Sequence, residues 1–373
     1  MSADMSAISR AFDIRGRLDE VVPFGTGHIN DTYAATYADG GTRVRYVHQR
    51  INDQVFTDPP AVMANIQRVT EHLRRKLAEA HGDHVRMRSL SVVPTRDGDV
   101  VLCTPGGEYW RTYPLIEGTR TYEFVDCADQ AYQAARAFGQ FQTLLADLPA
   151  PPLVETIRDF HNTPRRWESF EQACATATDE RRDVARQQID FAKEHRCLAD
   201  ALISLQRDGS VPERTTHNDT KLNNVLFDVA IGQAVCVVDL DTVMPGLSLY
   251  DFGDMVRTMT CTAAEDETDL TRVRLDPELF AAVARGYVES THTMLNDVEF
   301  TYLVTAGKTI IFEQALRFLT DWLAGDVYYK VHQPQHNLLR SRSQFALLRS
   351  LIEQEATLRD RVSAVVERKK VSG

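Results

Sequence analysis

A short polar stretch, TTHNDTKLNNVLF at residues 215–227, concentrates side chains that can exchange protons or bind a metal ion. Asp219 supplies a carboxylate, and Asn224 supplies an amide oxygen a few positions later. A second carboxylate, Asp239, ends the apolar run VCVVD. If the two β runs between Asn224 and Asp239 form a hairpin, the returning strand brings Asp239 back beside Asn224.

Two carboxylates and one amide suit a hard divalent cation. Mg²⁺ prefers oxygen ligands in octahedral geometry, keeps several waters and is commonly shared with the phosphates of a nucleotide. A carboxylate just outside that shell can accept the proton of an attacking hydroxyl group. The pattern therefore indicates phosphoryl transfer, in which a metal neutralises a triphosphate and a base orients the nucleophile.

Strand patterns dominate the segments before residue 117. After a short helix, the glycines Gly25 and Gly27 form a turn before the alternating run NDTYAATY, and the turn ADGGT leads to a second strand in VRYVH. Further strands are predicted in SLSVVPT, VVLCT and EYWRTYPLI. One helix, PPAVMANIQRVTEHLRRKL, carries apolar residues at helical spacing. Residues 1–116 are therefore predicted to form a small antiparallel β lobe with one helix.

Helical patterns dominate residues 117–373. DQAYQAARAFGQFQTLLADL places its apolar residues on one face, KTIIFEQALRFLTDWLAG ends at Gly325 as a C-cap, and SQFALLRSLIEQEATLRDRV is predicted to be helical too. The two β runs around Gly232 are the one predicted interruption. The sequence thus predicts an α+β fold, in which the small β lobe precedes a larger, mostly helical lobe.

The composition narrows the classes of partner. The chain has 373 residues, of which 43% are hydrophobic and 25% charged, with a formal net charge of −11. This acidity argues against nucleic acid, whose binding depends on basic side chains. The six cysteines include no C-x-x-C pair, which predicts reduced thiols and neither a zinc site nor a disulfide framework. Without a signal peptide or a long apolar run, we expect a cytoplasmic monomer with no membrane partner.

Taken in order, FGTGHIN, WRTYPLIEG, THNDTKLNN and VVDLD resemble the motifs of the aminoglycoside phosphotransferase and choline kinase superfamily. Together with DFGDMVR, ALRFLTDWLAGDVYY and HNLLRSRSQ, they are most similar to those of the N-acetylhexosamine 1-kinases. The resemblance covers essentially the whole chain. It implies a bilobal, protein-kinase-like fold that uses ATP as co-substrate and Mg²⁺ as cofactor. The implied reaction is phosphorylation of the anomeric hydroxyl of N-acetylglucosamine or N-acetylgalactosamine.

The resemblance also implies roles for individual residues. Asp219 is similar to the catalytic base, Asn224 to the amide ligand of the metal, and Asp239 to the aspartate that bridges metal and phosphates. The nucleotide is implied to meet a loop over its phosphates and a hinge that offers backbone groups to adenine. These two segments contain Gly25, Gly27, Tyr113, Leu115 and Ile116.

Three further residues match positions that contact the sugar in hexosamine kinases. They are His28, Arg317 and Tyr328, in addition to Asp219. Each also has a purely structural interpretation. His28 can be a turn residue, Tyr328 a packed aromatic, and Arg317 the partner of Glu313 one helical turn away.

Several neighbouring polar residues keep two interpretations open. Asn223 either braces the loop or takes part in the site, and Lys221 either reaches a phosphate or lies in solvent. Asp241 is either a second acid near the metal or a turn residue. In DFGD, Asp251 and Asp254 are favoured as helix caps or braces of the catalytic loop, because VVDLD already supplies a metal aspartate.

One departure from the wider family motivates the rival hypotheses. The second strand reads VRYVHQR, so Gln49 or Arg50 stands where most relatives carry a phosphate-binding lysine, and an arginine is not equivalent to that lysine. One alternative is a non-catalytic pseudokinase. The other is a kinase of another small alcohol, such as an aminoglycoside, choline or methylthioribose; an aminoglycoside would require an acidic cluster, for which EDETD at residues 265–269 is the candidate.

Overall fold

A computed structural model of the chain describes residues 4–25, 29–79 and 88–372. The chain forms two compact units. The first consists of Met1–Arg120, Asp147–Arg158 and Leu226–Met244, and the second of Thr121–Ala146, Asp159–Val225 and Pro245–Gly373. None of the helices formed by the described residues is both long and apolar enough to cross a membrane.

The first unit is built around an antiparallel sheet. Its strands are β1 (Arg17–Pro23), β2 (Asp31–Asp39), β3 (Thr42–Ile51), β4 (Leu102–Cys103) and β5 (Tyr109–Pro114), in the order β1-β2-β3-β5-β4. The predicted hairpin is β2–β3, which turns on two glycines with positive φ between Asp39 and Thr42. Two helices accompany the sheet, α1 (Met5–Ala11) and α2 (Pro59–Glu79).

The structure of this unit differs from the sequence prediction at two places. β1 was not predicted, because most of its side chains are exposed and it shows no alternation of apolar and polar residues. The segment SLSVVPT was predicted as a strand but forms only an isolated bridge, between Thr95 and Phe12. Its backbone groups bond to separate partners, since the Val93 N–H donates to Thr112 and the Pro94 carbonyl accepts from Asp13. Because these hydrogen bonds go to two different segments, they do not form the continuous pairing with one partner strand that defines a β-strand.

A chain of buried polar side chains runs through the core of the first unit. His48 on β3 bonds through Nε2 to the hydroxyl of Tyr37, at 2.8 Å, and through Nδ1 to the hydroxyl of Thr112, at 2.7 Å. The Tyr37 hydroxyl also bonds to Ser9. His48 is fully buried, and burial lowers its pKa from 6.5 to about 4. The imidazole is therefore neutral at physiological pH.

This histidine should make the folded protein sensitive to acid. Between pH 6.5 and 4 the unfolded chain binds a proton that folded His48 refuses, so the free energy of unfolding falls as the pH falls. From pH 7 to pH 5 the expected loss is about 2 kcal/mol. Denaturant unfolding at both pH values, compared with His48→Gln, measures it. An equal loss in the variant, which cannot titrate at this position, would contradict the assignment.

The second unit is mostly helical. Its main helices pack closely where glycines remove a side chain: a Cβ at Gly286 would lie 2.3 Å from the Tyr132 carbonyl oxygen, and one at Gly253 would lie 2.5 Å from that of Ala306. The described residues form α3 (Ala128–Leu145), α4 (Thr163–Thr176), α5 (Asp179–Val184), α6 (Arg186–Glu194), α7 (Ile203–Arg207), α8 (Ser248–Met259), α9 (Pro277–Thr291), α10 (Asp297–Ala324), α11 (His336–Glu353) and α12 (Glu355–Ser372).

The helix predictions hold except at one boundary. α3 and α10 are confirmed, and α10 ends at Gly325 with a φ of 103°. The stretch SQFALLRSLIEQEATLRDRV was predicted as continuously helical, but it spans α11 and α12 with a break at Gln354. The Gln354 side chain donates to the carbonyls of Leu275 and Ser350, which ties this position to another segment.

The predicted β interruption is confirmed. β8 (Val225–Asp228) and β9 (Ala234–Val237) pair around Gly232, whose φ is 68°. The structure adds three strands of two or three residues, β6 (Thr119–Arg120), β7 (Arg214–Thr216) and β10 (Met244–Gly246). Strands this short are too brief to show a period in the sequence. The α+β fold class is confirmed, with the antiparallel sheet early in the chain and most helices after it.

Candidate active site

The loop that follows β7 is shaped by a buried carboxylate on the first turn of α8. Asp251 accepts the backbone N–H of His217 at 2.9 Å and that of Asn218 at 2.7 Å. The Thr220 hydroxyl donates to the carbonyl of Asp251 at 2.7 Å. These bonds hold a turn in which Asn218 has a φ of 66°. The bracing role predicted for Asp251 is confirmed, whereas the N-cap of α8 is Leu247.

A second layer of contacts fixes Asp251 itself. Gln142 on α3 donates to this carboxylate at 2.5 Å, and the Tyr287 hydroxyl donates to Gln142 at 2.6 Å. Burial raises the pKa of Asp251, although His217 and the N–H donors favour its charged form. On the other side of the turn, a Cβ at Gly246 would lie 2.9 Å from the Asn218 side chain. The loop is therefore held on two sides by elements outside it.

Asp219 lies in the middle of this loop with 22% of its side chain exposed. Lys221 Nζ forms an ion pair with one carboxylate oxygen at 2.8 Å, and Asn224 Nδ2 donates to the other at 3.2 Å and to the Asp219 carbonyl at 2.9 Å. Burial opposes the charge on Asp219, but the cation of Lys221, with His217 and Arg257, outweighs it and lowers the pKa. Asp219 is therefore ionised at neutral pH and can accept a proton.

The amide of Asn224 is suitable as a metal ligand. Its nitrogen is used by Asp219, and within the described part of the chain no donor bonds to its oxygen. An amide oxygen left in this way is a ligand type that Mg²⁺ accepts. Asn224 therefore offers one ligand of a suitable type, and its predicted role as a metal ligand stays a prediction.

Asp239 belongs to the first unit, where β9 ends. Its φ and ψ are both 60°, a left-handed conformation, and a short 3₁₀ turn, Leu240–Thr242, follows it. Residues other than glycine in this region are uncommon and are concentrated at functional sites. The conformation supports a special role for Asp239, and its predicted role as a metal ligand stays a prediction.

A buried ion pair lies two residues beyond Asp239. Arg111 on β5 makes a two-pronged contact with Asp241, and their side chains are 1% and 2% exposed. Asn30 Nδ2 donates to the same carboxylate at 2.6 Å. Both oxygens of Asp241 are thus occupied, which supports the anchoring interpretation over a second metal acid. The pair attaches the segment after Asp239 to the sheet.

Gln49, one of the two residues at the position where most relatives carry the phosphate-binding lysine, is hydrogen-bonded to Arg111 of this ion pair. Gln49 on β3 accepts a hydrogen bond from Arg111 Nε at 3.0 Å and donates to Thr32 at 3.0 Å. Arg50 instead pairs with Asp31 and Glu108 and is 44% exposed. We did not identify Arg111 from the sequence. The available signal was an arginine inside the apolar strand YWRTYPLI, because a buried charge needs a buried partner.

The predicted nucleotide residues are described only in part. Gly25 has a φ of 78° and open space where a Cβ would point, whereas Gly27 lies outside the described residues. In the predicted hinge, Tyr113 is buried, the Leu115 N–H donates to the Arg45 carbonyl at 3.0 Å, and the Ile116 carbonyl accepts from a threonine hydroxyl at 2.6 Å. The adenine-binding role of this segment stays a prediction.

Of the predicted sugar residues, His28 also lies outside the described residues. Arg317 on α10 donates to Gln314 at 3.3 Å, and among the described residues it forms no ion pair with Glu313. Tyr328 is 67% exposed, and its ring packs edge-on against Tyr329, at 4.8 Å between ring centres. The structure brings Arg317 close to Tyr329, since its guanidinium lies 5.8 Å from the centre of that ring. Burial lowers the pKa of Arg317, but Tyr329, Glu313 and Tyr328 outweigh this effect and raise it.

The remaining polar residues near the loop contact other side chains of the second unit. Asn223 Nδ2 donates to Glu123 at 3.2 Å. Asp254 pairs with Arg257 at 2.9 Å through one oxygen, and its other oxygen is buried with no partner within the described residues. Lys221, left open between phosphate contact and solvent, is bound to Asp219.

Comparisons with known proteins agree with this architecture. The model of the phosphotransferase enzyme family, APH, matches residues 20–289. A microcompartment-associated aminopropanol kinase has a similar structure, with a TM-score of 0.60 at 16% identity, over 96% of this chain and 98% of that one. An aminoglycoside phosphotransferase from Alicyclobacillus acidocaldarius gives 0.60 at 15%, over 96% and 95%. A choline kinase from Cryptosporidium parvum gives 0.54 at 12%, over 93% of each. At these identities the structures share the fold, which confirms the predicted kinase-like class.

Proposed function

The chain belongs to the phosphotransferase enzyme family, and on that premise we propose that it transfers the terminal phosphate of ATP to the anomeric hydroxyl of an N-acetylhexosamine. The products are the sugar 1-phosphate and ADP. The observation that carries the proposal is the loop of Asp219, whose ionised carboxylate is partly exposed and held by Lys221 and Asn224. Its similarity to the hexosamine kinase motifs supports the choice of acceptor.

In this proposal Asp219 accepts the proton of the C1 hydroxyl as the oxygen attacks the terminal phosphorus and the bond to ADP breaks. The anomeric hydroxyl is more acidic than an ordinary alcohol, because the ring oxygen withdraws electron density. Asn224 and Asp239 are the proposed ligands of Mg²⁺, which supplies charge neutralisation of the triphosphate when bound. Positioning by the braced loop does most of the remaining work.

The proposed adenine contact is the backbone of Tyr113, Leu115 and Ile116, and the proposed phosphate loop contains Gly25 and Gly27. The sugar is proposed to meet His28, Arg317 and Tyr328. These assignments rest on the positions of the residues in the motifs. We further propose that ATP is the natural donor.

One observation weakens the aminoglycoside alternative. An acceptor with several ammonium groups needs unpaired carboxylates, and EDETD at residues 265–269 was the candidate cluster. Two of its four acids form ion pairs with arginines, Glu265 with Arg257 at 3.1 Å and Glu267 with Arg272 at 3.0 Å. Asp266 contacts His336 at 3.2 Å. Half of the carboxylates in the cluster are therefore offset by arginines of the second unit.

A coupled assay of ADP release tests the proposal. Purified protein with Mg-ATP is offered N-acetylglucosamine, N-acetylgalactosamine, kanamycin, choline or methylthioribose at equal concentrations. Turnover should be highest with an N-acetylhexosamine, and phosphorus NMR of the product should place the phosphate on C1. Preference for one of the other alcohols would reject the proposed acceptor, and thermal stabilisation by Mg-ATP without turnover of any acceptor would favour a pseudokinase.

A further inference from the structure

A buried histidine, His161, bridges α10 and the loop that carries Asp219. Its Nε2 lies 2.9 Å from the carbonyl oxygen of Asn218, and its Nδ1 lies 2.8 Å from a carboxyl oxygen of Glu313. The side chains of His161 and Glu313 are 7% and 2% exposed. Asn218 directly precedes Asp219 in the chain. The imidazole is therefore one peptide away from the proposed base.

The two acceptors decide where the hydrogens of His161 lie. A carbonyl oxygen carries no hydrogen, so Nε2 must carry one and donate it to Asn218. The contact between Nδ1 and Glu313 also needs a proton between its two atoms, because two lone pairs would otherwise face each other. The second oxygen of Glu313 accepts the hydroxyl of Thr163 at 2.6 Å. If the Glu313 carboxyl is ionised, both ring nitrogens carry hydrogen and His161 is an imidazolium.

Nearby charges place that proton on the ring. Burial lowers the pKa of His161, but the carboxylate of Glu313 and the carbonyl of Asn218 outweigh this effect and raise the pKa above 6.5. Burial likewise raises the pKa of the Glu313 carboxyl. There the charge of His161, the hydroxyl of Thr163 and the charge of Arg317 outweigh burial and lower the pKa. Both directions favour an ionised Glu313 beside a protonated His161.

The other groups around this pair do not reverse that preference. Tyr250 lies 5.0 Å from His161 between ring centres, and burial raises the pKa of Tyr250, so the phenol stays neutral. Asp254 favours the charged imidazole, whereas guanidinium groups oppose it. The contact from the loop is the neutral main chain of Asn218. The titratable and charged groups that face the pair are Glu313 and Arg317 on α10, Arg166 on α4, and Tyr250 and Asp254 on α8.

The bond from His161 completes the hold on Asn218. This residue has a φ of 66°, its N–H donates to Asp251 at 2.7 Å, and its carbonyl accepts from His161. The same carbonyl belongs to the peptide that joins Asn218 to Asp219. If the ring loses a proton, the remaining hydrogen stays toward Glu313, because a carboxylate is a stronger acceptor than a carbonyl. The lone pair of Nε2 then faces the carbonyl oxygen, which releases the peptide.

We propose that His161 positions the base: as an imidazolium it fixes the peptide between Asn218 and Asp219, and loss of one ring proton lets that peptide turn. The inference rests on the proposed kinase function and adds a residue that acts through the loop. Because the pKa of His161 lies above 6.5, catalysis should decline as the pH rises through that pKa.

The first test compares kcat at pH 9.5 with kcat at pH 6 in wild-type protein and in Glu313→Gln, with saturating Mg-ATP and acceptor. In the wild type this ratio should be roughly 0.1 to 0.01, the effect of losing one charged hydrogen bond. In the variant the glutamine amide donates to Nδ1, which keeps the hydrogen on Nε2 at both pH values. The ratio for the variant should therefore lie within about twofold of one.

His292→Gln is the matched control, since His292 is an exposed histidine at the end of α9. It should keep the wild-type ratio. A merely structural role for the pair would not make the variant less sensitive to pH than the wild type. A wild type whose kcat is independent of pH, or an equal decline in Glu313→Gln, would overturn the proposal.

A second measurement follows the ring without any substrate. Nitrogen NMR of protein labelled in histidine distinguishes protonated from bare ring nitrogens, and His161→Gln, or Glu313→Gln if that variant does not fold, identifies the signals. At pH 6 both ring nitrogens of His161 should be protonated. The backbone nitrogen of Asp219, which belongs to the fixed peptide, should shift with the same midpoint as the ring, and kcat should decline there too. A neutral ring at pH 6 would reject the proposal.

The proposed function and this inference fail in different ways, because the NMR measurement needs no acceptor. If another alcohol is the substrate, kcat is measured with that alcohol and the expected ratios are the same. If no alcohol is turned over, a common midpoint for the ring and for the Asp219 nitrogen would still support the positioning contact, and an unmoved Asp219 would reject it. Turnover of an N-acetylhexosamine with a kcat independent of pH would sustain the kinase and reject the role of His161.

Discussion

Replacing Asp219 by asparagine should lower kcat by at least about a thousandfold, within the range expected when a general base is removed. Asparagine keeps the size of the side chain, so the loop held by Asp251 should retain its shape. The change removes the negative charge that Lys221 now contacts at 2.8 Å and the lone pair that would take the proton. The KM for ATP and for the acceptor should change little, because the loss falls on the transition state.

Steady-state kinetics with saturating Mg-ATP measures this effect, and calorimetric titration of sugar and nucleotide checks that binding survives. Asp190→Asn is a suitable control, since Asp190 is an exposed aspartate on α6 of the same unit. The control should match the wild type in rate and stability. Near-normal turnover in Asp219→Asn would reject Asp219 as the base.

Replacing Asp239 by asparagine should instead weaken the binding of Mg-ATP. Asparagine tolerates the left-handed backbone, with φ of 60°, so the turn should survive while the charge is lost. Loss of one charged contact should raise the Kd for Mg-ATP by roughly 10- to 100-fold. The Kd for ATP measured with a chelator should stay unchanged, because the proposed contact passes through the metal.

Calorimetric titration with and without Mg²⁺ separates the two Kd values. Asp39→Asn, at the exposed β2–β3 turn of the same unit, is the matched control and should bind like the wild type. A variant at Asp239 that binds Mg-ATP normally, or that loses metal-free ATP equally, would remove it from the metal site.

The elements that the sequence predicts well are those with many repeats of one period or a clear stop signal. α3 and α10 carry several turns of amphipathic pattern, α10 ends at Gly325, and the β8–β9 hairpin turns on Gly232. β1 was missed because an exposed edge strand has no buried face to alternate with. Three strands are too short to show an alternation of apolar and polar residues, namely β6, β7 and β10. Their pairing partners lie far away in the chain, and a local sequence pattern cannot indicate such partners.

The site shows the same limit. Motif spacing predicted Asp219 and Asn224 as neighbours in one site, and the structure shows the two side chains in contact, five positions apart. Arg111 and Asp241 are 130 positions apart in the chain. Nothing in the sequence indicates which of its acidic residues pairs with Arg111.

The carboxylate of Asp251 links the shape of the Asp219 loop to the folding of α8. The loop that carries Asp219 owes its turn to an acid more than thirty residues later in the chain, through contacts separated by 33 and 34 positions. A fragment that ends before α8, or a nascent chain still short of it, holds the whole THNDTKLNN motif without the shape that orients it. The same motif grafted onto another scaffold would need its own buried acid beneath it. Catalytic competence should therefore arise late in folding, when α8 docks, and return of turnover after dilution from denaturant reports that event.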